Sequence, residues 1–393
     1  MPVQTITVDG YAQIRDAYRC RDLRQALYDA SGVVMADSLL VLHGDAHKRR
    51  RRIENRLFRR GVFREWERTI VRRTVAEALA PCRATGRAEL VELGYRAIST
   101  LTATVAGVDV DIDAGDTLWR FARTFSEGAT LAHTTRDPAV VRAEVGAALE
   151  EFTTLFVVPS AARRRDLLER FHAGTVADDD LPRDVLTALL RHRDELGLDD
   201  ATIRRECAFY LQAGSHSSVD ALVHAVDDLF AWTTRDPVRA ARAWTDRAFL
   251  QRCVHESLRL HPASPVARRH AVADVVLRDG TVVPAGTDLV MDVAAANRDP
   301  SVFADPDVYD PDRTVPPGVA RWGHAFGGGM HACIGTELAA GVPGPDAVLG
   351  TVTTMLAALL DAGVRPDPSE PPRRDPRSAR DHFGRYPVVF DGG

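Results

Sequence analysis

The sequence predicts a mainly α fold with small β-sheets. Apolar residues recur at helical spacing through most of its 393 residues, strand signals are few, and one long irregular stretch interrupts the pattern late in the chain. The helical pattern runs through DLRQALYDA, TIVRRTVAEALA, ELVELGYRAISTLTATVAGV, VRAEVGAALEEFTTLFVV and DVLTALLRHRDELG, and then from Thr202 to about Trp232. In VVLRDGTVVPAGTDLVM the alternation predicts a hairpin turning at Asp279-Gly280, and RYPVVF near the C-terminus reads as a lone extended segment. From Ala295 to Gly335 periodicity gives way to an irregular loop of about forty residues, a length that in a compact domain usually serves function. The Pro- and Arg-rich RPDPSEPPRRDPRSARD after Val364 reads as a surface loop. No internal repeat or linker divides the chain, so residues 1–393 are expected to form a single domain.

Composition narrows the function classes. Hydrophobic residues make up 45% of the chain, enough for a large core, and the net charge of −5 comes from acidic and basic residues spread throughout, so nucleic acid is not an expected partner. No uninterrupted apolar run reaches the roughly 20 residues that span a bilayer, and the N-terminus lacks the charged-then-apolar pattern of a signal peptide. A cytoplasmic protein without membrane association is expected. The five cysteines are scattered, with no CxxC pair, which argues against a disulfide framework or a cysteine-rich zinc site.

One of those cysteines has a distinctive setting. In FGGGMHACIGTELAA three glycines let the backbone pass close to a neighbour, and Cys333 stands just before a helical stretch, where the helix dipole favours a thiolate. Upstream, Glu256 and Arg259 in VHESLRLHP are three apart on one helix face and can pair. The zinc-protease pattern H-E-x-x-H fails in that segment, because Arg259 occupies the second ligand position. Phe326, Gly329, His331, Cys333, Gly335 and Ala339 fit F-x-x-G-x-H-x-C-x-G-x-x-x-A, and E-x-x-R followed by Arg313 in YDPDR precedes it in order. Together these segments resemble the cytochrome P450 family, and the resemblance extends from YAQIRDAYRC to RYPVVF.

That resemblance implies a P450 fold with heme b (iron protoporphyrin IX), Cys333 as the axial thiolate of the iron, and Phe326, Gly329 and Gly335 shaping the loop against the macrocycle. His47 and Arg51 fit the family's H-x-x-x-R, and with Arg269 and His331 they are the implied partners of the haem propionates. Glu256, Arg259 and Arg313 are implied as a structural cluster. The exposed arginines around His47, namely Arg49, Arg50, Arg52, Arg56, Arg59 and Arg60, are expected to stay outside and receive an acidic ferredoxin-type redox partner, with Arg49, Arg50 and Arg52 serving electron delivery. The implied activity is that of a monooxygenase, an oxidoreductase that activates dioxygen to hydroxylate or epoxidise a small organic molecule in a tailoring step of secondary metabolism. A monomer is expected.

The segment AGSHSS aligns with the family's distal A-G-x-[DE]-T-[TS]. Ala213 and Gly214 fit, whereas His216 stands in the acid's place and Ser217 in the threonine's. An imidazole of ordinary pKa, about 6.5, could give and accept a proton near neutrality. His216 is therefore a proton-relay candidate, with substrate contact or simple packing as the alternatives. A non-acidic residue here also keeps open oxidative coupling, cyclisation or peroxide-driven oxidation on the same haem fold, and a haem-binding protein without turnover is the further alternative. Two more departures stand out: His47 comes early, so the N-terminal part is expected to be shortened and the channel mouth open, and GVPGPDAVLG after Ala340 should break the helix that follows the cysteine. Substrate-facing residues are expected around Met35–Leu42, Phe156–Phe171 and Val293–Asn297.

Overall fold

The computed structural model describes residues 4–110, 115–344 and 347–390. Its axis is one unbroken helix, Asp200–Arg235, of 36 residues. Asp199 caps it by accepting from the Thr202 N–H, and it stops at Asp236, just before Pro237, whose ring cannot continue it. Its middle third is buried nearly all round, as expected of a helix surrounded by others. Helices Leu90–Ala106, Gly115–Ala129, Arg247–Leu260 and Thr351–Asp361 pack around it in one large hydrophobic core. Gly214 permits the tightest of these approaches, since a Cβ there would come within 2.5 Å of Thr102 Cγ2 on helix Leu90–Ala106.

The sheets lie at the periphery. Strand Val266–Ala271 is central in a four-stranded sheet, antiparallel to Leu23–Gln25 on one side and to Asp288–Asp292 on the other; the latter pairs in parallel with Thr5–Val8. A smaller apolar cluster, including Ile14, Ala17, Leu289 and Met291, fills the space beneath it. The predicted hairpin forms, but only Val275–Val276 and Val282–Val283 pair across the turn, with Gly280 at φ 89°. The rest of that segment joins the larger sheet. The RYPVVF segment is not alone: Pro387–Phe390 is the middle strand of three, between Arg87–Glu89 and Val364–Pro366. Partners of three residues each are too short to show an alternation of their own.

Before His47 the chain forms strand Thr5–Val8, helix Tyr11–Arg19, strand Leu23–Gln25 and the short helix Gly32–Met35. The helix after the cysteine, Thr336–Ala340, ends after five residues at Gly341, φ 74°, and the chain crosses a Val342–Val348 bridge before helix Thr351–Asp361 begins. One stretch, Pro138–His172, is long and apolar enough by length and composition to cross a membrane, which a search for uninterrupted apolar runs passes over. Val141, Val145 and Phe152 bury one side of it in the core, and Arg164 near its end is buried against Asp109 and Asp184.

The irregular region after Ala296 is held by side chains. Arg259, fully buried, donates from Nε and Nη2 to Glu256 at 3.0 and 2.7 Å and from Nη1 to the carbonyls of Asn297 and Pro306 at 2.8 and 2.7 Å. Arg313 donates to the same carboxylate at 3.0 Å and to the Val308 carbonyl at 2.6 Å. The expected Glu256–Arg259–Arg313 cluster is thus assembled, with two guanidinium groups sharing one carboxylate and spending their remaining donors on a segment that has almost no ladder of its own.

Candidate functional site

Between the long helix and the cysteine loop lies a cavity of about 320 Å³. Its walls are mostly apolar, with Leu40, Ile98, Leu101, Val105, Phe209 and Val266 among them. Phe326, Cys333 and Gly335 of the cysteine loop line it, and so do Ala213, Gly214, His216 and Ser217 of the long helix. His47, Arg51, Arg269 and His331 complete the lining, so residues spread over more than 280 positions of sequence meet in one space. Gly329 does not face the cavity. It sits at φ 62° against the backbone of Tyr18, where a Cβ would overlap the Tyr18 carbonyl oxygen, and so lets the loop seat on helix Tyr11–Arg19.

The cysteine loop is closed by the Cys333 N–H donating to the Phe326 carbonyl at 2.9 Å. Cys333 is exposed and lines the cavity. Burial raises its thiol above the ordinary value, while the Gly335 N–H, Arg51 and the Thr336 hydroxyl pull it back down. The dipole of the following helix is a smaller help than the sequence suggests, because that helix has only five residues.

Around the cavity two buried imidazoles lack a hydrogen-bond partner, and two guanidinium groups stand beside them. His47 and His331 face each other with ring centroids 4.5 Å apart, and the Nε2 atom of each is buried without a hydrogen bond. Burial lowers them to about 4 and about 3, so both rings are neutral at pH 7. Arg269 is buried, donates to Gln25 Oε1 at 2.8 Å, lies over the Tyr18 ring, and has no carboxylate in ion-pair range. Arg51 braces the loop through the Ala332 carbonyl at 2.8 Å. Unpartnered donors converging on a cavity are what a bound group carrying carboxylates would satisfy.

On the long helix, Ser215 Oγ bonds Thr102 Oγ1 at 2.7 Å, and Ser217 Oγ donates back to the Ala213 carbonyl at 2.6 Å. The His216 Nδ1 lies 2.9 Å from the Tyr95 hydroxyl, and burial pushes Tyr95 well above its usual pKa, so it keeps its proton. A Tyr95 hydroxyl donating to Nδ1 leaves the ring hydrogen on Nε2, which is buried without a partner. Burial first, then Arg380 and His382, depress the His216 pKa well below 6.5, so the ring does not titrate near neutrality as its ordinary pKa suggests.

The structure changes other expectations. Arg50 is not on the surface: it is buried, pairs with the buried Glu206 at 2.9 Å, and so ties the His47 helix to the long one. Arg60 pairs with Glu337, and Arg52 lies 3.5 Å from Glu195. Arg49, Arg56 and Arg59 are exposed. Of the three expected substrate-facing segments only the first lines the cavity, through Leu39 and Leu40. Helix Val158–His172 packs on the outer side, and Val293–Ala296 belongs to the core beneath the large sheet. The lining residues that sequence reading missed are on helix Leu90–Ala106, whose plain amphipathic pattern marks only core, and at Arg380, in the segment read as a surface loop, which folds back onto the cavity.

A family profile described as Cytochrome P450 matches residues 239–341. Among curated proteins, cytochrome P450 4F2 of Homo sapiens is 32% identical over 214 residues, covering 49% of this chain and 39% of that one. The match therefore spans about two fifths of the human protein's length. Among solved structures, HmtT, involved in himastatin biosynthesis, superposes with a TM-score of 0.75 at 23% identity, covering 99% of this chain and 94% of that one. CalO2 does so with a TM-score of 0.74 at 22% identity, covering 98% and 91%. Over residues 239–341 the chain matches the cytochrome P450 family, and its fold is the P450 fold. P450s carry haem on a cysteine thiolate, and this cavity fits such a group: one thiol on a glycine loop, apolar walls for a macrocycle, the unpartnered Nε2 atoms of His47 and His331, and the positive charges of Arg51 and Arg269 to meet its carboxylates. The 22–23% identities extend the P450 fold to nearly the whole chain.

Proposed function

We propose that this P450 is a cytoplasmic haem-thiolate monooxygenase that hydroxylates or epoxidises a small organic molecule, as a tailoring step on a natural product. The observation that carries this reading is Cys333, the only one of the five cysteines whose thiol opens into the large cavity. The involvement of the structurally similar HmtT in himastatin biosynthesis supports the natural-product setting. When bound, haem b would supply iron able to reduce dioxygen with two electrons and two protons, one oxygen atom entering the substrate and the other leaving as water. Cys333 would hold the metal, Arg51 and Arg269 would orient the carboxylates at the cavity edge, and Ile98, Leu101 and Val105 would keep water from the reacting face. Exposed Arg49, Arg56 and Arg59 would receive an acidic ferredoxin.

The test is Cys333→Ala. The wild type should give the red-shifted thiolate-type Soret band on reduction under carbon monoxide, and the variant should lack it; a band unchanged in the variant overturns the assignment. A second reading, peroxide-driven oxidation, draws on His216. Its ring is neutral and tethered to Tyr95, and the cavity presents no carboxylic acid among the described residues. It predicts turnover with hydrogen peroxide that equals or exceeds turnover through ferredoxin.

A further inference from the structure

A second, smaller cavity of about 50 Å³ opens beside the first, on the far side of His216. Ser126, Thr130, His216 and Arg380 line both, so they form the junction between a roomy apolar chamber and a small polar one. The polar chamber contains atoms that nothing satisfies. Arg380 Nε, His133 Nε2, His216 Nε2, His382 Nδ1, Ser126 Oγ and Asp220 Oδ1 are all buried without a hydrogen bond, and five of the six can donate.

Arg123, Arg377 and Arg380 stand around this chamber with Glu127, Asp220 and Asp375, and their pairing is uneven. Arg123 and Arg377 share Asp375, at 3.2 and 3.0 Å, and hold its carboxyl low against the opposing effect of burial. Glu127 is taken by Arg136 at 3.2 Å. Asp220 is buried and lies 3.6 Å from His224, whose own pKa burial lowers; burial raises the Asp220 pKa, with His224 and then Arg380 opposing. Among the described residues Arg380 has no carboxylate within ion-pair range, Asp220 being the opposing charge that acts on it most; Nη1 donates to the Ala263 carbonyl at 3.1 Å and Nη2 to Thr130 Oγ1 at 3.3 Å. Nε is the one guanidinium nitrogen left without a partner, and with the second hydrogen of Nη2 it forms the side-on edge whose spacing matches two carboxylate oxygens. The chamber is too small for a bulky head group, which favours a carboxylate over larger anions.

We propose that Arg380 is the anchor of a carboxylate subsite, so that the substrate is an organic acid whose apolar body occupies the large cavity and whose carboxylate docks on the Nε–Nη2 edge, within reach of His382 and Ser126. This deepens the reading of the large cavity as a substrate chamber and rests on it. An anchored acid also fixes which carbon of the chain is presented at the cysteine side, so Arg380 is a specificity-determining residue.

The test uses haem-loaded protein, with dodecanoate and its methyl ester as probes, followed by calorimetry and by the ferric Soret shift. The acid should bind at least about tenfold tighter than the ester. Arg380→Gln should remove that preference while leaving ester affinity within twofold, and Arg380→Lys, which keeps the charge but not the fork, should retain part of it. Equal binding of acid and ester by the wild type, binding of neither, or a preference that survives Arg380→Gln overturns the subsite. Calorimetry separates this from the functional reading: a preference for the acid in protein that lacks the thiolate Soret band keeps the subsite and overturns the monooxygenase, and a normal band with no preference does the reverse.

Discussion

The two sides of the cavity are built on opposite principles. Beneath the cysteine loop, Glu256, Arg259 and Arg313 exchange every strong donor and acceptor among themselves and with the carbonyls of the irregular region, leaving a rigid and internally satisfied base. Around His216 the polar side chains are numerous and under-used, with unpartnered atoms on His133, His216, His382 and Arg380. A satisfied cluster fixes geometry, whereas an unsatisfied one awaits a ligand. The first side is built from Glu256, Arg259 and Arg313, which lie within the segment that matches the P450 profile, and His216 and Arg380 of the second lie outside it.

Substitutions should separate the two. Arg259→Ala leaves the buried Glu256 with Arg313 as its remaining guanidinium partner and releases the carbonyls of Asn297 and Pro306, and should cost about 3–5 kcal/mol in denaturant unfolding; a loss below 1 kcal/mol breaks the idea that this side is purely structural. Gly329→Ala places a side chain in the left-handed region and against the Tyr18 backbone, for about 1–3 kcal/mol and weaker haem retention on gel filtration. On the other side, the effect should be one of pH. His216, His133 and His382 are all depressed by burial, the last two to about 4. Below pH 6.5 the unfolded chain therefore binds protons that the folded one refuses, and stability falls as pH drops from 6.5 toward 4. His216 faces Tyr95, Arg380, His382, Arg123 and Asp375. His216→Gln should flatten the slope between pH 6.5 and 5 by up to about 1.4 kcal/mol per pH unit, read from urea midpoints. An unchanged slope would show that the ring protonates freely.

The smallest effect lies outside the cavity. Replacing exposed Arg49 and Arg56 with Gln should raise the KM for an acidic ferredoxin about two- to fivefold, an increase that fades in high salt. Arg50→Gln should instead lower stability, because its partner Glu206 is buried. Equal KM effects from Arg49 and Arg50 would contradict the placement of Arg50.

What could be read in advance follows the same division. The cysteine loop and the E-x-x-R pair are contiguous motifs, so their spacing states their geometry. The Tyr95–His216 contact joins positions 121 residues apart, and Arg380 reaches the cavity from a segment whose prolines and charges resemble any exposed loop. Nothing in local pattern encodes such a return. Arg50 is a sharper case: within a run of basic residues only helical phase separates it from exposed Arg49, and the acid that buries it is 156 residues away.

The irregular stretch from Asn297 to Gly328 has one more consequence, for the way the molecule opens. With scarcely any ladder of its own, it is pinned by side chains: by the Glu256–Arg259–Arg313 cluster, by Asn297 to the Arg259 carbonyl and the His324 N–H, by Asp299 to the Tyr11 N–H, and by His324 to the Tyr11 carbonyl. Backbone held by so few fasteners exchanges its amide hydrogens as one cooperative unit, and the unit's opening free energy is set by the pins and not by its length. Amides at Asp310 and His324 should therefore share one exchange rate in the native protein, and loss of any single pin should quicken both together.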